Sequence, residues 1–416
     1  MTRRSPAGSG ARARFWLLLP VWLALGAGLI ALALLPVSGP PPAPRPPLSP
    51  LEREVGSLLM VGFEGAEPDA PGVRRTLARA RAGRIGAVMF LRRNVTDRTG
   101  TTALTGALRA ARPDLLVALD QEGGWVARLG RGSGFPRTPS ARRVAAALTP
   151  AEAESLYEGM ARGLSEWGFD VNLAPVVDVE VAGNPIIARL GRAFASDTGE
   201  VTDYARAFVR GHCRAGVRAV LKHFPGHGSS LADSHLGTAD VTATWNEREL
   251  APYRALMDET GAVMIGHLTH RRLGGAVPAT FSSAIVDGLL RREMGFEGVV
   301  VSDDLQMDAV TLSQPEAAVA ALRAGVDVLL FSGDRDDPVL VDAIIDGVAR
   351  EARRDPDFRR RVALAAERVA RWRQAAFETG AAAGTGIADC AAVPSLGPNS
   401  SSQSVITGAG MGLDTR

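Results

Sequence analysis

Between residues 51 and 378 the chain alternates short apolar, often β-branched runs with helical stretches. The runs are Leu58–Phe63, Ala87–Leu91, Leu115–Asp120, Val171–Ala174, Val217–His223, Val263–Leu268, Val299–Asp304 and Val326–Phe331. Continuous apolar strands separated by amphipathic helices signal a parallel sheet buried on both faces. Eight such units in about 330 residues suit a single catalytic domain of α/β class, a closed (β/α)8 TIM-type barrel. An open, doubly wound sheet is the competing arrangement. The connectors carry helix signals where they can be checked: over Ser313 to Ala324, Ser313 can cap, Pro315 sits in the first turn and Gly325 ends the helix.

The two ends read differently. Phe15 to Val37 is apolar and uncharged, and Arg3, Arg4, Arg12 and Arg14 precede it with no acidic residue among them. At about 1.5 Å per residue such a run crosses a hydrocarbon core of roughly 30 Å, and it exceeds the roughly 7–15 residues of a cleavable signal core. The pattern predicts a signal anchor at 15–37, with a cleaved signal peptide as the alternative. The basic segment 1–14 then lies in the cytoplasm and the rest outside, in the periplasm or at the cell surface, or secreted if the leader is cut. Residues 38–50 form a proline-rich linker, and 379–416, rich in Gly, Ala and Ser, reads as a disordered tail.

Composition narrows the function classes. Hydrophobic residues make up 46% of the chain, enough for one large barrel or two ordinary domains. The formal net charge of +2, with no basic stripe, argues against nucleic acid as a partner and favours a neutral substrate. Cys213 and Cys390 stand in no CxxC or zinc-ligand spacing, so neither a disulfide framework nor a thiolate metal site is indicated. Of 47 basic residues only Lys222 is lysine. Either it survived by chance, or its site wants a compact ammonium rather than a planar guanidinium.

Polar residues collect where a barrel enzyme would use them. Asp120, Lys222 with His223, His267, and Asp303 with Asp304 each end a predicted strand, and the strand C-termini form the catalytic face of such barrels. Salt bridging between strand ends is the bland alternative. The densest segment is Lys222-His223-Phe224-Pro225-Gly226-His227-Gly228, continuing to Asp233-Ser234-His235. A metal site built on His223, His227 and His235 competes with a sugar pocket carrying an acid/base histidine. The irregular turn suits a metal poorly, and the neighbouring lysine would repel a divalent cation.

The KHFPGHG segment with the following DSH resembles the signature of family 3 glycoside hydrolases, in particular single-domain bacterial β-N-acetylglucosaminidases. Supporting matches are Leu119-Asp120-Gln121-Glu122-Gly123-Gly124 with Arg128, Asn172 through Asp178, Gly191-Arg192-Ala193-Phe194, and Val301-Ser302-Asp303-Asp304-Leu305. The resemblance implies a retaining exo-glycosidase that removes terminal β-linked N-acetylglucosamine from peptidoglycan fragments or chitooligosaccharides, without metal or organic cofactor. It assigns Asp303 as nucleophile, and His235 held by Asp233 as acid/base. It further implies that Asp120, Arg128, Arg192, Lys222 and His223 bind the sugar, and that His227 stabilises the turn. Strand alternation agrees with the first assignment: Val299, Val301 and Asp303 share one face, and Asp304 falls on the other as a cap or ion-pair residue.

The chain also departs from the family pattern. Trp125 stands where relatives commonly carry a base, and is expected either to stack on a sugar ring or to fill the core. Ser229-Ser230 replaces a common Asp-Thr, and Leu190-Gly191-Arg192 is an imperfect copy of its motif. Three other functions stay open: phosphorolysis, since a histidine acid/base does not repel phosphate, a β-glycosidase of other sugar specificity, and a membrane-anchored sugar-binding protein without catalysis. Nothing in the sequence calls for an obligate protein partner.

Overall fold

The computed structural model describes residues 47–233, 237, 239–333 and 339–381. The apolar run at 15–37, the tail beyond 381 and His235 lie outside the described residues. Among the described residues no helix is long and apolar enough to cross a membrane.

The chain has an α/β fold. Its strands are β1 (Leu59–Val61), β2 (Ala87–Phe90), β3 (Leu116–Leu119), a hairpin of β4 (Gln121–Gly123) and β5 (Val126–Ala127), β6 (Val171–Asn172), β7 (Arg218–Ala219), β8 (Leu221–Phe224), β9 (Ala239–Asp240), β10 (Ala262–Ile265), β11 (Leu268–Thr269), β12 (Val299–Ser302) and β13 (Leu329–Phe331). Every predicted run overlaps at least one of these strands. Most are shorter than the run. The run Val263–Leu268 divides: β10 stays in the sheet, whereas β11 pairs with β9.

One parallel sheet runs β13-β1-β2-β3-β6-β7 and a second runs β12-β10-β8. Only Val220 separates β7 from β8, and Val176 bridges Lys222 in parallel. On the other side Val301 bridges Val328, the residue before β13. β2, β3, β10 and β12 are buried along their whole length, as expected of strands covered on both faces.

The connecting helices start from sequence signals of one kind. Ser49, Thr149 and Ser313 precede the helices Pro50–Ser57, Pro150–Glu166 and Gln314–Ala324, each with Pro in the first turn. In each, the carboxylate of a glutamate reaches back to the cap: Glu52 to Ser49 N (2.8 Å), Glu152 to Thr149 N (2.8 Å) and Glu316 to Ser313 N (3.1 Å). At Ser49 and Thr149 the cap is reciprocal, the side-chain oxygen accepting from the glutamate amide. Gly325, at φ 120°, ends the third helix as predicted. Cys213 lies near the end of helix Thr198–Arg214, and Cys390 lies outside the described residues.

Opposite the ends that carry the polar motifs, Asp327 is fully buried beneath β12 and β13. Its carboxylate accepts from Arg291 (2.5 Å), Arg361 (2.8 Å), Arg368 (3.4 Å) and the amide of Val300 (3.0 Å). This knot fastens the helices that carry the three arginines to the strand bases.

Candidate active site

At the C-terminal ends of the strands lies a cleft of about 410 Å³, within the usual size range of small-molecule sites. Its wall includes Asp120, just past β3, Lys222 and His223 from β8, and Asp303 and Asp304, just past β12. Arg128, Arg192 and Asp233 come to it from loops. The structure therefore gathers seven of the eight site residues expected from the sequence. The eighth, His235, lies outside the described residues.

Lys222 is the hub of the floor. Its ammonium, on a side chain 3% exposed, lies 2.9 Å from Asp120 Oδ1 and 2.7 Å from Glu122 Oε1. Arg128 donates to the other oxygen of Asp120 at 2.6 Å. Arg192 grips Glu122 with two hydrogen bonds, Nε at 2.9 Å and Nη2 at 2.8 Å. Burial works against charge on both carboxyls, but the surrounding cations outweigh it. Glu122 is held down at about 2 by Arg192 and Lys222, and Asp120 lies well below its usual value through Lys222 and Arg128. Burial likewise opposes the Lys222 charge, yet Asp120 and Glu122 raise its pKa. All members of this network are thus charged at neutral pH, and the lone lysine sits where one small cation must meet two carboxylates.

The neighbouring His223 is oriented by Asp178, which is fully buried. His223 Nδ1 lies 2.8 Å from Asp178 Oδ2, and the amides of His223 (3.1 Å) and His227 (2.8 Å) donate to Oδ1. The other ring nitrogen, Nε2, lies 3.4 Å from Arg192 Nη2. One carboxylate so fixes both the imidazole and the turn after it. The turn tolerates no bulk: a Cβ on Gly228 would stand 1.8 Å from the carbonyl of Val179. His227 is buried and its edge meets the His223 ring at 5.6 Å; burial pushes its pKa down to about 4. Below the turn, buried Glu249 accepts from Gly228 N at 2.9 Å, and burial raises its carboxyl to about 7.

Asp303 and Asp304 both reach the cleft wall but have different surroundings. The carboxylate of Asp304 is occupied by the fold, accepting from Ser332 Oγ (2.5 Å), Ser332 N (3.1 Å) and Gln306 N (3.1 Å). Burial raises its pKa. Asp304 thus ties the end of β12 to the end of β13. Asp303 continues the β12 ladder, its amide donating to the Ile265 carbonyl at 2.9 Å, and its Oδ1 accepts from the Asp304 amide at 2.8 Å. His267 is fully buried behind them, between Thr280 Oγ1 (2.8 Å) and the Asp304 carbonyl (2.9 Å), so it supports the wall and does not line it.

Sequence reasoning missed Glu122 and Asp178, although both stand inside quoted motifs. The available signal was charge balance, since Lys222, Arg192 and Arg128 could share a buried floor only with acidic partners. Asn172 was also passed over. It is fully buried and holds Gln121 by both backbone groups, accepting from its amide (2.9 Å) and donating to its carbonyl (3.0 Å). Trp125 is 74% exposed at the cleft edge. The core-filling alternative for Trp125 is therefore wrong: the hairpin tip turns the indole outward.

Over residues 50–371 the sequence matches the glycosyl hydrolase family 3 N-terminal domain. It is 38% identical over 300 residues to a beta-hexosaminidase of Tolumonas auensis, covering 70% of this chain and 86% of that one. Among solved structures it is similar to a beta-N-acetylhexosaminidase from Beutenbergia cavernae, with 34% identity and a TM-score of 0.72 over 79% of this chain and 100% of that one. A family 3 beta-N-acetylglucosaminidase from Paenibacillus sp. aligns with 30% identity and a TM-score of 0.72 over 86% of this chain and 66% of that one. Extent of match and identity together make this chain a member of glycoside hydrolase family 3, and so a glycosidase.

Proposed function

We propose that the protein is a retaining, exo-acting β-N-acetylglucosaminidase with Asp303 as nucleophile and His235, held by Asp233, as acid/base. The named activities of its relatives support the sugar. The observation that carries the catalytic reading is the cleft itself, where Asp303 and Asp233 line the wall around the Asp120–Lys222–Glu122–Arg192 floor. Taking β7 and β8, parted by Val220 alone, as one strand, we read the eight resulting strands of the two parallel sheets as a closed (β/α)8 barrel, supported by pairings that run from β1 through β8 and β12 to Val328 beside β13. Residues 51–378 would be the hydrolase domain. The positively flanked apolar run at 15–37 supports a membrane-anchored protein whose catalytic domain lies outside the cytoplasm.

In this reading the floor holds the terminal sugar. Asp120, Arg128, Lys222, His223 and Arg192 meet its hydroxyl and acetamido groups. The ammonium keeps one of its three N–H donors after serving Asp120 and Glu122. Asp303 attacks the anomeric carbon as His235 donates a proton to the departing oxygen, giving a covalent glycosyl-aspartate and the released aglycone. His235 then takes a proton from water, which attacks the same carbon and frees Asp303. Imidazole suits both transfers, since its unperturbed pKa of about 6.5 lies near neutrality. Asp233 would orient the ring and stabilise its charged form.

The test is Asp303→Ala beside His235→Ala, assayed on an activated aryl β-N-acetylglucosaminide and on chitobiose. The first variant should lose turnover on both. The second should lose about 10²–10⁴-fold on chitobiose and much less on the aryl glycoside, which needs little protonation. Equal losses in His235→Ala would remove it from the acid/base role, and activity in Asp303→Ala would end the nucleophile assignment.

A further inference from the structure

Trp125 is the most exposed of the large hydrophobic side chains among the described residues. A single exposed apolar residue needs no explanation by itself; this one has a fixed mount and a chemical neighbourhood. It stands with Gly124 in the two-residue turn of the β4–β5 hairpin, where Gly124 N donates to the Thr138 carbonyl at 2.9 Å. Gln121 Oε1 clamps the hairpin from below, accepting from Arg128 N (2.9 Å) and Leu129 N (3.1 Å). Gly124, at φ 60°, has no room for a side chain, because a Cβ there would stand 2.5 Å from that of Ser140. The backbone that carries the indole is therefore held at a set place on the cleft edge.

Beside it the cleft changes character. Ile186 and Leu190 line the wall with Trp125, whereas the floor is the charged network. Among the described residues, every arginine and lysine of the wall is already turned to a carboxylate: Arg128 to Asp120, Arg192 to Glu122, Lys222 to both. These pairs leave the apolar edge, among the described residues, without an unpaired arginine or lysine to receive an acidic group.

We propose that Trp125 is the platform of an aglycone subsite, receiving the apolar C–H face of an uncharged pyranose joined to the terminal sugar. The substrate class is then a neutral β-linked amino-sugar oligosaccharide rather than one whose aglycone carries a carboxylate. The proposal rests on the floor holding the terminal sugar. A β-linked pyranose with equatorial substituents presents polarised C–H groups on a flat face, and these meet the negative face of an aromatic ring. A ring with only two side-chain torsions, mounted on a fixed turn, loses little freedom on contact. Binding energy gathered there, away from the reacting bond, is available to promote the chemical step.

Calorimetric titration tests this on the full-length protein, as wild type, Trp125→Ala and Trp125→Phe. The ligands are N-acetylglucosamine, the sulfur-linked and so uncleavable disaccharide of N-acetylglucosamine, and the same disaccharide with a lactyl ether carboxylate on its second sugar. In Trp125→Ala the ratio of neutral-disaccharide Kd to monosaccharide Kd should rise about tenfold or more, equivalent to about 1.4 kcal/mol. Trp125→Phe should recover most of that, and wild type should prefer the neutral disaccharide. An unchanged ratio in Trp125→Ala, or wild type binding the acidic disaccharide as tightly, overturns the proposal. Aryl-glycoside turnover by the same preparations separates the two levels. Turnover with an unchanged ratio overturns the subsite alone, whereas wild type that neither turns over substrate nor binds monosaccharide overturns the floor assignment and the subsite with it.

Discussion

The ammonium of Lys222 stands 2.7 Å from Oε1 of Glu122 and is nearly closed off from solvent. With Asp120 at 2.9 Å on its other side, it neutralises two carboxylates that burial would otherwise penalise. Lys222→Met should therefore leave Asp120 with Arg128 and Glu122 with Arg192 alone, each carboxylate short of one buried donor, and lower stability by about 1–3 kcal/mol, read from a urea unfolding midpoint. Lys222→Arg should recover only part of this, because a planar guanidinium cannot occupy the same small space. Equal stability of all three proteins would contradict the network.

Two pH windows follow from the carboxyls. Asp120 and Glu122 have depressed folded values, Glu122 near 2, so their stabilisation is present above the ordinary carboxyl range and is lost as pH falls toward 2. Glu249 is the reverse case: burial, then the nearby Asp178 charge, raises its folded value to about 7. The folded state holds that proton where the unfolded chain has released it. Stability should decline as pH rises from about 4.5 to 7, by about 3 kcal/mol at most. Glu249→Gln keeps an acceptor for the Gly228 amide and has no proton to lose. It should flatten the decline and exceed wild type in stability at pH 8. Parallel slopes in urea titrations at pH 5 and 8 would refute this.

Asp178 orients His223 at 2.8 Å and also accepts from two backbone amides. Asp178→Asn should free the ring without emptying the site, raising KM for chitobiose about tenfold, or about 1.4 kcal/mol of binding, with a smaller change in kcat. A fall confined to kcat, with loss of one limb of the pH–rate profile, would instead make His223 the proton-transfer group.

Asp327 lies at the opposite ends of the strands, where residues serve stability rather than chemistry. Asp327→Ala should strand three arginines around an empty site and cost about 3–5 kcal/mol of stability. Substrate KM measured well below the unfolding temperature should stay at the wild-type value. A raised KM at full stability would mean that the knot reaches the cleft.

Much of the fold was readable because fully buried parallel strands need uninterrupted apolar runs, and each of the eight runs overlaps a strand. Their ends were less readable: β10 stops at Ile265 because Leu268 and Thr269 find partners in β9, a choice made by a distant segment. In the site, Lys222 stood out by its rarity and Asp303 by its strand-end motif. Glu122 and Asp178 did not, since an acid within a motif does not disclose which cation or imidazole it will face. Alternation along β12 gave Asp304 a capping role and the structure gives it Ser332 and Gln306 as partners. It did not foresee that Asp304 would also reach the cleft wall, because the chain leaves regular strand geometry after Ser302.

The nucleophile assignment is tested most directly by trapping the covalent intermediate. A fluorinated N-acetylglucosaminyl donor that forms the glycosyl-enzyme faster than it is hydrolysed should add one sugar to the protein, and peptide mapping by mass spectrometry should place that sugar on Asp303. A sugar found on Asp304 or another carboxylate, or a fully active protein that forms no adduct under conditions that consume the donor, would contradict the account.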